Sequence, residues 1–148
     1  MNRKIIIGLI TWAFIFLFGY AAMIKLLDHE KFTIDISKSP LLTHYAEAIA
    51  YSVPASEFIC CLLLIFPRTR LAGMYMAFTL MTAFTCYIIA ILQFSYFIPC
   101  SCGGVLQRMG WKEHLVFNIV FVLLGVISIV QETKLKNESS RPRADLST

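Results

Sequence analysis

Charge is what this sequence has least of. Only 15% of its 148 residues are Asp, Glu, Lys or Arg, and they stand singly or in small groups beside long apolar runs. No basic stripe is present that could follow a phosphate backbone, so the formal net charge of +4 does not indicate a nucleic-acid partner. The chain also lacks a glycine-rich phosphate loop, a zinc-protease helix motif, internal repeats and low-complexity tracts, which removes the common soluble-enzyme chemistries. In place of charge there is apolar surface: 58% of the residues are hydrophobic and the mean hydropathy is +0.72. That balance lies outside the range of ordinary soluble domains and defines an integral membrane protein of one domain.

Four apolar runs predict an all-α, four-helix transmembrane bundle over residues 1–131. Ile5–Ile24 carries no charge and, at 1.5 Å per helical residue, covers about 30 Å, the thickness of the hydrocarbon layer. Arg3 and Lys4 precede it, but its apolar core is longer than that of a signal peptide and no convincing A-x-A site follows, so it is read as retained. The second run, Ala48–Phe66, is interrupted by Glu57 and stopped by Pro67, and the third, Leu71–Leu92, is uncharged. Leu115–Val130 is short for a crossing and has to recruit Trp111–His114 or the Gln131 end. The expected helices are about 5–24, 46–66, 71–93 and 111–131. Lys25–Thr43 has the polarity of an interfacial helix followed by a Ser39-Pro40 turn, and residues 132–148 read as a polar, disordered cytoplasmic tail.

Lysine and arginine give the orientation. Arg3, Lys4, Arg68, Arg70, Lys134, Lys136, Arg141 and Arg143 fall on one side of such a bundle, against Lys25, Lys31, Lys38, Arg108 and Lys112 on the other. The tight Arg68/Arg70 turn is the kind of short loop on which the positive-inside rule bears most strongly. Both ends are expected in the cytoplasm, and the loop between the third and fourth helices outside. In a bacterium the outer side is the oxidising periplasm, where disulfides persist.

That loop carries Pro99-Cys-Ser-Cys-Gly-Gly104. A disulfide needs Cα atoms roughly 4.4–6.8 Å apart, a distance that residues two apart reach only with a bent backbone. Strained, exposed disulfides are the labile, exchanging ones. Cys100 and Cys102 therefore read as a thiol-disulfide centre, with Gly103 and Gly104 permitting close approach of a partner's backbone. Soft-metal binding or transport, joined by the vicinal pair Cys60-Cys61, is the alternative, and a non-catalytic membrane subunit with incidental cysteines is another. Cys60, Cys61 and Cys86 otherwise read as small apolar residues inside helices.

Three further residues share a helical face just after the loop: Trp111, His114 and Asn118, spaced i, i+3, i+7. His114 has the chemistry to take a proton from a thiol or to stabilise a thiolate, and Asn118 to orient the ring, while Trp111 suits an interfacial anchor. The competing role of the pair is hydrogen bonding between helices. Glu57, three residues after Pro54, is a costly carboxylate at membrane depth and should face the interior, paired, protonated or hydrated. Lys25, at the outer end of the first helix, is expected to snorkel outward and not to pair with it.

Gly19-Tyr-Ala-Ala-Met-Ile-Lys-Leu-Leu-Asp28, Pro54 with Glu57, and Cys100-Ser-Cys-Gly-Gly104 ahead of Trp111-Lys-Glu-His-Leu-Val-Phe-Asn118 resemble the MauE branch of the DoxX-like membrane proteins. The resemblance covers about residues 5–130. It implies a bacterial inner-membrane protein of thiol redox, associated in the founding members with methylamine dehydrogenase maturation. It also implies a thioredoxin-like periplasmic protein, or a disulfide-containing client, as partner. Related bundles of the vitamin K epoxide reductase and disulfide-bond B types pass electrons to quinone through Cys-x-x-Cys and a second loop pair. This chain has neither, so no cofactor is expected, with quinone left as an open alternative.

Overall fold

The computed structural model describes residues 3–38, 42–94 and 110–140. Among them there are five α-helices and no strand: α1 Arg3–Leu27, α2 His29–Ser37, α3 Ala46–Ile65, α4 Arg70–Phe94 and α5 Trp111–Ser140, with a single 3-10 turn at Thr43–Tyr45 leading into α3. Four of the five, all but α2, are long and apolar enough to cross a membrane. They form a ring in which α3 lies between α1 and α4, and α5 closes the circle between α4 and α1. The expected four-helix bundle is therefore what the chain forms.

Each helix owes its limits to local chemistry. Phe66 precedes Pro67 and is pushed out of the helical region to φ −86°, ψ 123°, which ends α3 at Ile65. The Thr69 hydroxyl then donates to the Leu63 carbonyl, one of those the helix end leaves without a partner. In α1, Ile7, Thr11, Phe14, Phe18, Ala22 and Lys25 recur at three- and four-residue steps and form its buried stripe. The opposite face is also apolar but open: Trp12 is 71% and Phe16 77% exposed. Apolar surface on that scale fits contact with lipid, not water.

The core joins Phe14 and Phe18 of α1 to Cys60, Cys61 and Leu64 of α3 and to Met74, Ala77 and Met81 of α4. Phe121 of α5 meets Phe14 edge-on at 5.3 Å between ring centroids. α3 and α4 come closest at Gly73, where a Cβ would lie 2.9 Å from the Leu64 nitrogen and 3.0 Å from the Leu63 carbonyl carbon. Only glycine fits this crossing.

α5 departs from the sequence expectation. It runs on to Ser140, so residues 132–140, read above as disordered, are helical. Two ion pairs tie this extension to the rest: Arg70 to Glu132 at 2.9 Å and Arg3 to Glu138 at 2.8 Å. Glu132 is buried, whereas the Arg3–Glu138 pair is exposed. These contacts gather the start of α1, the turn before α4 and the end of α5 at one end of the bundle. The other end holds Lys25, α2 and the helix ends that flank residues 95–109. α2 covers this end by packing on α3, with Ile36 set against Ala46 and Ala50.

Candidate functional site

Four of the buried polar side chains come together. Lys25 from α1, Glu57 from α3, and His114 and Asn118 from α5 line one cavity of about 290 Å³ in the half of the bundle covered by α2. α4 supplies Met81, Phe84 and Tyr87 to the same wall, and α2 supplies Phe32. Pro54 and Glu57 both lie on the buried face of α3, which aims the carboxylate inward.

Lys25 donates to Glu57 Oε1 in a buried ion pair. The expectation that Lys25 snorkels outward is therefore corrected. It occupies the last place on the buried stripe of α1 and is 9% exposed, so its side chain points between helices and meets the Glu57 carboxylate. Its ammonium also lies 5.2 Å from the Phe84 ring centre and 5.7 Å from that of Phe32, within the range in which an aromatic face attracts a cation. Glu57, which the sequence marks as interior and paired, is fully buried.

The pair leaves hydrogen-bonding capacity unused. Glu57 Oε2 and Asn118 Nδ2 are both buried without a partner among the described residues. Asn118 is 3% exposed, and His114 lies one turn away on the same helix face, also buried. His114 and Asn118 of the expected α5 face are thus turned into the bundle. The donor that Asn118 could have offered to the imidazole is not used for it.

Of the other residues singled out from the sequence, Cys100, Cys102, Gly103 and Gly104 lie outside the described residues. Trp111 is the first residue of α5 and is described by its backbone alone. Cys60 and Cys61 are buried, and their thiols diverge. Cys60 Sγ lies 3.6 Å from the Gly73 carbonyl of α4, and Cys61 Sγ 3.6 Å from the Ile15 carbonyl of α1. Each thiol serves as a weak donor to a different neighbouring helix, as a packed core cysteine does. Among the described residues no group of three or more His, Cys, Asp or Glu side chains converges as a metal site would. Cys86 is free and exposed.

The residue undervalued from sequence is Lys25. Its signal was positional: it continues the spacing of Phe18 and Ala22 on the buried face, and a charge on that stripe has to be answered from another helix.

Four apolar crossings around a cavity with an ion pair at its polar end define a multi-pass membrane protein. Comparison with protein families narrows the class further. Residues 3–131 match the family described as methylamine utilisation protein MauE, and the chain belongs to that family. No curated protein matches it, and no solved structure does.

Proposed function

We propose that this MauE-family protein is a thiol-disulfide relay of the bacterial inner membrane. Its two ends lie in the cytoplasm, and Cys100 and Cys102 face the periplasm. The observation that carries the reading is the family match, which spans all four crossings and the cysteine loop together. The excess of basic residues at the end of the bundle holding Arg3, Arg68 and Arg70 supports the orientation.

In the exchange, a thiolate of one partner attacks the disulfide of the other and forms a mixed disulfide, which the second thiol of the attacking protein resolves. One disulfide and two thiols are consumed and one disulfide and two thiols are formed, so electrons and protons balance in either direction. Either Cys100 or Cys102 can attack, with the other resolving. His114 would take up the thiol proton, with Glu57, Asn118 and Trp111 as supporting residues and Gly103-Gly104 giving the partner room. The natural partner is a thioredoxin-like periplasmic protein or a client on its way to maturation. The soft-metal alternative draws no support from Cys60 and Cys61, whose thiols point to different helices.

Gel-shift thiol trapping in intact cells tests the proposal. A reductant that does not cross the inner membrane should convert Cys100/Cys102 from unreactive to alkylatable, and a Cys100→Ser or Cys102→Ser variant should accumulate a mixed disulfide with its partner. Cysteines that stay reduced and out of reach of the external reagent would sink it.

A further inference from the structure

We infer that the cavity between Lys25, Glu57, His114 and Asn118 is a binding site for a membrane-soluble quinone/quinol, held more tightly in its reduced form. The inference concerns the bundle interior and does not depend on what the outer cysteines do.

Three observations carry it. The cavity, about 290 Å³, falls just below the roughly 300–1,000 Å³ typical of small-molecule sites, room for a substituted ring and the start of a tail. Its walls are apolar and aromatic, with Phe18, Phe84, Tyr87 and Phe117 contributing rings from three helices, which suits a flat ligand. Two of the side chains that line it carry buried groups without a partner among the described residues: Glu57 Oε2, an acceptor when ionised, and Asn118 Nδ2, a donor.

The charge of the site selects the head group. Lys25 and Glu57 neutralise one another, so an anionic head would gain the ammonium only by crowding the carboxylate, and a cationic head would do the reverse. A neutral head with oxygen atoms avoids both costs. A phenolic hydroxyl carries the complement of each unused group: its proton suits Glu57 Oε2 and its oxygen suits Asn118 Nδ2. A quinone carbonyl meets only Asn118 and leaves the Glu57 oxygen unanswered, which is why the quinol is the better ligand. Acyl chains alone would fill the apolar walls and satisfy neither.

The test uses the purified full-length protein in lipid nanodiscs free of quinone, titrated with a para-benzoquinone bearing a decyl tail and with its quinol, and bound ligand measured by rapid filtration. Saturable binding above that of empty nanodiscs is expected, with the quinol about tenfold tighter. Asn118→Leu, which removes the donor, and Ala21→Phe, which fills the cavity, should each weaken binding about tenfold or more while helical circular dichroism is retained. Arg3→Gln, at the far end, should bind as the parent does. Binding no greater than that of empty nanodiscs overturns the inference. So does parental affinity in both cavity variants, equal affinity for the two redox forms, or displacement of the quinol by an equal concentration of palmitate. The Cys100→Ser/Cys102→Ser protein should still bind, and loss of binding there would move the ligand to the loop and overturn the assignment. A parent protein that binds quinol while its loop cysteines never cycle defeats the thiol relay alone; one whose cysteines cycle without quinol binding defeats the cavity assignment alone.

Discussion

Lys25 and Glu57 lie 32 residues apart in sequence and form a buried ion pair of the core. Removing one member leaves the other as an uncompensated charge among apolar side chains, which costs about 3–5 kcal/mol, whereas replacing both with apolar residues is often neutral. Glu57→Leu alone should therefore lower the unfolding free energy by that amount, and Lys25→Met together with Glu57→Leu should recover most of it, as read by denaturation in mixed micelles. A double variant no better than the single one would mean that the pair does not act as a unit. At this scale the sequence was informative about depth and silent about partners. That Glu57 had to face inward followed from the cost of a carboxylate in hydrocarbon. That Lys25 answers it depends on how α1 crosses α3, and no local pattern encodes a crossing.

The α3–α4 hairpin shows how far local chemistry reaches at the scale of elements. Phe66-Pro67 sets its turn, and this much could be read directly. Gly73 sets its spacing, because a side chain there would press on the backbone at Leu63 and Leu64. Gly73→Ala should destabilise the protein by about 1–3 kcal/mol, the usual cost of overpacking, and should do so with Lys25–Glu57 intact. Thermal unfolding of the purified protein measures this, and an unchanged midpoint would show that the helices can separate freely at that point. The extension of α5 beyond Val130 was hidden for the opposite reason. Its sequence loses the apolar runs that mark a spanning helix, and two of its stabilising contacts, Arg70–Glu132 and Arg3–Glu138, link residues 62 and 135 positions apart.

For the whole molecule, four crossings could be read from the apolar runs, because length and absence of charge suffice to mark them. The cavity could not, since it is the space left where five helices fail to fill the middle, a property of packing and of no single segment. Orientation is the feature on which the proposed chemistry depends most. A reporter active only in the cytoplasm should be active when fused after Thr148, and one active only in the periplasm should be inactive there. The reverse result would place the cysteine loop in the reducing compartment. The ion pair of the core also bears on how the protein is made. Synthesis runs from the N-terminus, so α1 must wait in the translocation machinery or the bilayer with a bare ammonium until Glu57 emerges from the ribosome. A nascent chain stalled before that point lacks the counter-charge of its first helix, and completion of α3 supplies it.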